Sequence, residues 1–228
     1  MGFLLRDAAG TDVDDVHLDD VHLNGVHYIG RMARAHATGR HTRDDVARTA
    51  LRILDEHGLP DFTMRRLAAA LDVQPSALYW HFPDKQSLLA ELADRIVAEA
   101  QAATTGRSPR HPDWRERVRI AAATLRAALL AHRDGAEVVA STTAMGLGAS
   151  AARDTLSAAV AAGGLGEADC ARAASAILHF VLGHVVHEQQ RVQLDRLGLL
   201  TARDGEEDPT GDFAFGIDLL VRGLGTRL

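Results

Sequence analysis

The 228-residue chain is long enough to bury one medium core or two small ones, carries a net charge of −6 at neutral pH and contains a single cysteine, Cys170. One thiol excludes an internal disulfide framework and any cysteine-based zinc staple, so a reducing, cytoplasmic setting is expected. No apolar run approaches the length of a bilayer span, and Met1-Gly2-Phe3-Leu4-Leu5-Arg6 leads into acidic sequence rather than a signal core, so neither membrane nor export is expected. The charge is unevenly spread: residues 1–30 hold one Arg against six Asp, whereas residues 31–85 hold nine Lys and Arg against seven acids, with four histidines. That middle stretch alone is positive, a modest footprint for a polyanionic partner.

Residues 1–40 stand apart. The run Val16-His17-Leu18-Asp19-Asp20-Val21-His22-Leu23 repeats Val-His-Leu every five residues, a period of neither helix nor strand, and disorder is expected. The spacing of His17, His22 and His27 puts no pair on one helix face, so no metal is assigned to them; Met32 is a possible working start. Arg31, Arg34, Arg40 and Arg43 form a basic arm over 31–43, which either enters a DNA minor groove or is a solvated tail.

Beyond residue 40 alanine and leucine recur at spacings of three and four, and strand signals are nearly absent, so the chain reads as all-α. Helices are predicted at 43–57, 64–71, 75–81, 84–103, 113–132, 148–162, 167–192 and 211–226. Gly58-Leu59-Pro60, the Gly106 to Pro112 stretch, Gly163-Gly164 and the acidic Asp204 to Pro209 loop mark the breaks. The first helix carries Val46, Ala47, Ala50, Leu51, Ile53 and Leu54 on one stripe and Arg48, Arg52 and Asp55 opposite. A three-helix head at 41–88 is expected to lead into a helical body at 89–228.

Thr63 is placed to cap the second helix, Asp72-Val73 turns the chain, and Pro75 suits the first turn of the third. Leu78 and Phe82 point inward in this reading, leaving Ser76, Ala77, Tyr79, Trp80 and His81 outward or at the flank. Two readings stay open on pattern alone: a helix-turn-helix that offers a hydroxyl, a methyl and aromatics to duplex DNA, or a small hairpin packed under a neighbour.

Residues from about 43 to 92, including ALRILDEHGLPDFTMRRLAAALDVQPSALYWHFPDKQSLL, resemble the DNA-binding head of the tetracycline-repressor (TetR) family. The remainder is similar to that family's C-terminal domain, notably AHRDGAEV at 131–138 and ILHFVLGHVVHEQQ at 177–190. Asp72 departs from the glycine usual at such turns. The resemblance implies a cytoplasmic transcriptional regulator, most simply a repressor and not an enzyme. It implies a homodimer whose two recognition helices enter successive major grooves of a palindromic double-stranded operator. By position it assigns DNA contact to Arg65, Pro75, Ser76, Ala77, Tyr79, Trp80, His81 and Lys85, with Arg65 on guanine and Tyr79, His81 and Lys85 on phosphates.

The resemblance also implies a small-molecule effector site in the body, at places occupied here by Gln101, Ala121, Leu125 and Val139. The family's metal-ligating histidine and most of its polar clamp are replaced, so no cofactor, no magnesium and no tetracycline are expected; the effector should be largely apolar. His184 and His187 are expected to orient a polar effector atom. With His179 and Glu188 they have helical metal-ligand spacing, which reads instead as hydrogen-bonded packing. Cys170 reads as a buried apolar residue. Helices 167–192 and 211–226 are expected to dimerise through Ala173, Ala176, Phe180, Gly183, Phe213, Ile217 and Leu220, the alternative being an internal core. The rival readings are a helical-bundle enzyme or carrier and a DNA-binding protein without a ligand.

Overall fold

The computed structural model describes residues 41–104, 113–200 and 208–227. The expected disorder of residues 1–40, the arm residues Arg31, Arg34 and Arg40, and most of the 106–112 and 204–209 breaks therefore lie outside the described residues. Among those described, every regular element is an α-helix.

Helix α1 (Arg43–His57) opens with a reciprocal cap: Thr42 Oγ1 accepts from the Asp45 amide, and the Asp45 carboxylate accepts from the Thr42 amide. The Thr42 hydroxyl also donates to the Asp45 carboxylate, and this bond, with that of the Thr42 amide, holds the carboxyl below its usual range. The helix stops at Gly58, whose φ of 83° suits glycine, and it buries Val46, Ala47, Ala50, Ile53 and Leu54. Helices α2 (Met64–Ala70) and α3 (Pro75–Leu78) are short. The third helix is thus briefer than the predicted 75–81: the His81 and Phe82 amides both return to the Leu78 carbonyl, and the chain turns out of the helix.

Helix α4 (Lys85–Thr104) is started by Asp84, whose carboxylate accepts from the Ser87 amide at 2.7 Å; that bond holds the carboxyl below its ordinary value. It buries Leu88, Leu89, Leu92, Ala93, Ile96, Val97 and Ala100. It packs against α1 near its start and against α5 (Trp114–Ala131), α6 (Gly135–Ala144) and α7 (Ser150–Ala161) along the rest. Residues 41–228 group as one compact unit. Helix α8 (Glu167–Arg196) packs on α5, α6 and α7, and α9 (Pro209–Gly225) on α5 and α8. Helix α8 is long and apolar enough to cross a membrane, and 44% of that stretch is buried here. Packing against four helices of the body accounts for its hydropathy.

Helix α6 is absent from the sequence prediction. It starts with Asp134 in the left-handed region (φ 56°) and Gly135, and ends in Ser141-Thr142-Thr143, all poor helix signals. Burial overrides them: Ala136, Val138, Val139 and Thr142 are sealed, and the Thr142 hydroxyl donates to the Val138 carbonyl.

The turn from α6 to α7 is held by α4. Asp94 Oδ1 accepts from the Ala149 amide at 2.6 Å, and Gly148 sits at φ 62° with the Ala90 carbonyl against its α-carbon. A Cβ there would stand 2.8 Å from that oxygen. Gly148→Ala should therefore lower the unfolding free energy by about 2 kcal/mol, from left-handed strain plus overlap. Urea denaturation reads this, and an unchanged midpoint would show that α7 is not pinned to α4 at this point.

Candidate nucleic-acid interface

The turn between α2 and α3 is closed by backbone bonds, and His41 Nε2 lies 2.9 Å from the Leu71 carbonyl at the end of α2. The Asp72 amide donates to the Ala69 carbonyl and the Val73 amide to the Ala68 carbonyl, with Asp72 at φ 53° in the left-handed region. Aspartate tolerates that conformation better than most side chains. Thr63 caps α2, accepting from the Arg66 amide, and Pro75 occupies the first turn of α3, as expected. Leu78 and Phe82 are 1% and 0% exposed and seal the underside.

What remains faces solvent. Tyr79 is 51% and Trp80 90% exposed, Ser76 is exposed, and Ala77 and His81 are half-buried. Arg65 and Arg66 project from α2, and neither is drawn into an ion pair among the described residues. The arginines of α1 differ: Arg48 pairs with Asp44 and Asp45, and Arg52 with Glu56. Gln74, not singled out from sequence, is exposed at the N-cap of α3 and makes no side-chain capping bond. Its amide is free to pair with a base edge. Its position immediately before a helix-opening proline was the available signal.

Two cations are placed elsewhere than expected. Lys85 Nζ donates to the Phe62 carbonyl at 2.8 Å and lies over the Phe62 ring, so it ties α4 to the α1–α2 loop instead of reaching outward. Arg43 is no part of a free arm. Its guanidinium bonds Glu91 on α4 and the His81 carbonyl, and lies 4.2 Å from the Phe82 ring centroid. Burial pushes the Glu91 carboxyl up, but Arg43 and Arg95 outweigh it and hold the carboxyl below its usual range.

In the body, α4, α5 and α7 line a cleft that opens to solvent. Each helix gives it one triplet at i, i+3 and i+4: Val97, Ala100 and Gln101; Ala121, Thr124 and Leu125; Ala152, Thr155 and Leu156. Gln101, Ala121 and Leu125 are thus brought together. The other three expected effector residues fall outside it: Val139 is fully buried on α6, and His184 bonds the Pro209 carbonyl (2.9 Å) and Glu188 (3.2 Å). His187 is exposed and also lies outside the lining. Thr124 and Thr155 were missed; the repeated Ala-x-x-Thr-Leu at 121–125 and 152–156 was the signal. Both hydroxyls donate to their own helix, at the Ile120 and Ala151 carbonyls, and Gln101 donates to Thr155 at 3.2 Å. Among the described residues no cluster of three or more His, Cys, Asp or Glu is placed to hold a metal ion. Cys170 is buried.

Of the residues expected to mate two copies, Ala173, Phe213 and Ile217 belong to the chain's own core. Phe180 and Leu220 are half-buried, and Ala176 and Gly183 are exposed on α8. Phe215 and Leu219, which the sequence reading passed over, stand 66% and 54% exposed on α9.

Residues 47–92 match the family model described as bacterial regulatory proteins, tetR family, and residues 108–228 the one described as tetracyclin repressor-like, C-terminal domain. The chain is 34% identical over 197 residues to the class A tetracycline repressor protein of transposon 1721 from Escherichia coli, a match covering 80% of this chain and 89% of that one. Its fold is similar to Mycobacterium smegmatis BioQ, with a TM-score of 0.72, 42% identity and coverage of 82% and 98% of the two chains. It is also similar to BioQ crystallised with its double-stranded DNA operator, with a TM-score of 0.67, 39% identity and coverage of 81% and 98%.

The exposed aromatic residue and its buried neighbour should separate fold from interface. Trp80→Ala should leave stability within about 0.5 kcal/mol of the parent, whereas Phe82→Ala should cost about 3–5 kcal/mol. Both are read by chemical denaturation; a large loss for Trp80→Ala would place the ring in the fold.

Proposed function

The chain belongs to the tetR family of bacterial regulatory proteins, DNA-binding transcription regulators and not enzymes, and from this premise we propose that it is a homodimeric, effector-released repressor of a palindromic operator. The observation that carries the reading is the division of the α2–α3 unit. Leu78 and Phe82 seal its inner side, and Arg65, Gln74, Ser76, Ala77, Tyr79, Trp80 and His81 lie on or beside the outer one. Burial of a 90% exposed indole against DNA would offset a surface that folding leaves unexplained. The neighbour BioQ has been crystallised on its operator, which supports the same use of the head here. In this reading the protein works in the cytoplasm, and residues 41–88 act as the head and 89–228 as the sensing and dimerising body.

A two-fold axis is supported by the side of α8 with Ala176, His179 and Gly183 beside the side of α9 with Phe215 and Leu219. Small residues let two helices approach closely, and the exposed Phe and Leu supply apolar area. The effector cleft is lined by aliphatic side chains, two threonines and one glutamine. No imidazole or carboxylate is among them, so nothing there would hold magnesium in the manner of a drug chelate. A compact, uncharged, largely apolar effector fits it, with Gln101 and Thr155 for one polar atom. Because the cleft lies on α4, filling it would press on the helix that also carries the head.

Selection of duplexes from a random pool by the purified protein tests this. A palindromic sequence with half-sites about one helical turn apart should be enriched, and Arg65→Ala should cost about 1–3 kcal/mol and relax one base position. Phe215→Glu should yield monomers by light scattering and lose the palindrome. Enrichment of no duplex would overturn the reading.

A further inference from the structure

The turn from α5 to α6 holds a histidine between two carboxylates that belong to different parts of the fold. His132 is 8% exposed. Its Nδ1 lies 3.2 Å from both carboxylate oxygens of Asp55 on α1, and its Nε2 lies 3.1 Å from Oε2 of Glu99 on α4. Carboxylates only accept hydrogen bonds, so both contacts are hydrogen bonds only when the ring carries a proton on each nitrogen. The neutral ring has one N–H and must give up one partner.

The surroundings decide which. Asp55 is also fixed by the Arg133 amide at 3.1 Å, and its side chain is 38% exposed against 50% for Glu99. The other groups around the ring hold the turn to α1 and α8 in either charge state. Arg133 donates to the Glu56 carbonyl, and Asp134 accepts from the Leu59 amide and from Gln193. Gln189 on α8 donates to the His132 carbonyl, while Glu56 is engaged by Arg52, with His57 beside it. The weaker link is therefore the one to α4, where loss of the ring proton turns a lone pair toward the Glu99 carboxylate.

We infer that His132 is a coupling residue: as the imidazolium it ties the pocket-bearing helix α4 to the end of α1 and the α5–α6 turn, and as the neutral ring it releases α4 alone. Glu99 lies one residue from Ala100 and two from Val97 and Gln101, the α4 lining of the cleft. Imidazole changes charge between about pH 5 and 8, so operator affinity is linked to pH through this contact. The coupling rests on the operator-binding function proposed above.

Glu99→Gln is the informative variant, because a carboxamide serves either ring state by presenting its oxygen or its nitrogen, and the site is half exposed. Dissociation constants for the selected duplex, measured from pH 6 to 8.5 at one ionic strength, should agree for parent and variant at pH 6. They should diverge by about fivefold at pH 8.5, the low end for coupled sites. Protonation of His81 or other groups near DNA is common to both proteins and cancels. A constant ratio across the range would overturn the coupling while leaving the repressor reading intact. A DNA-free readout accompanies it: ring nitrogen shifts, assigned to His132 by their loss in His132→Gln. They should show both nitrogens protonated in the charged ring and only Nδ1 protonated once the ring is neutral. A remaining proton on Nε2 would sink the inference even if DNA binds as expected, and failure to select any duplex would sink the regulator reading instead.

Discussion

One helix has to satisfy two packings at once. The head consists of helices of 15, 7 and 4 residues, too short to be stable unaided, and α1 packs against α4. The same helix continues into the body, where Val97, Ala100 and Gln101 form one wall of the cleft beside α5 and α7. Its stripe from Leu88 to Ala100 is a continuous rigid element with no break at which one half could move without the other. Polar contacts from about one turn of α4 reinforce both packings: Glu91 and Arg95 hold α1 through Arg43 and Asp44, and Asp94 holds the α6–α7 turn. Under the proposed reading, a displacement of α4 at the cleft would be carried to the head.

Charge follows the same economy. A net charge of −6 disfavours approach to a polyanion, yet the acids nearest the head are largely spoken for. Asp44, Asp45, Glu56 and Glu91 each face an arginine, so α1 and the start of α4 present pairs rather than fields. Arg65 and Arg66 are the cations on α2 left toward solvent, beside the exposed Trp80 and Tyr79. Local neutralisation, not composition, decides what a DNA strand would meet.

The sequence was most legible where one residue alone determines an element's end. The end of α1 follows from Gly58, and the turn before α3 from Thr63, Asp72 and Pro75. It was least legible where tertiary burial overrules propensity, as in α6, whose glycine start and hydroxyl-rich end hide a core helix. Site residues divide in the same way. Positions along a helix could be read, but the face turned to the cleft could not, which is why Leu125 lines it and Val139 and His184 do not. The partners of Arg43 and Lys85, a carboxylate 48 residues away and a carbonyl 23 away, left no local trace.

The fate of the body's other polar residues bears on what the cleft can hold. Arg126 grips Glu188 through two bonds of 2.7 and 2.6 Å with both side chains largely buried, and His184 shares the same carboxylate while bonding the first residue of α9. Phe180 and Phe213 stack around that histidine at ring separations of 5.3–5.7 Å. Charges committed in this way join α5, α8 and α9, and withdrawing one to meet a ligand would strand its partner in a dry site. The cleft is thus left with neutral donors that already serve their own helices, and a charged guest would find no counter-ion among its lining residues. Under the proposed reading, selectivity for uncharged effectors would be a by-product of how the body is tied together.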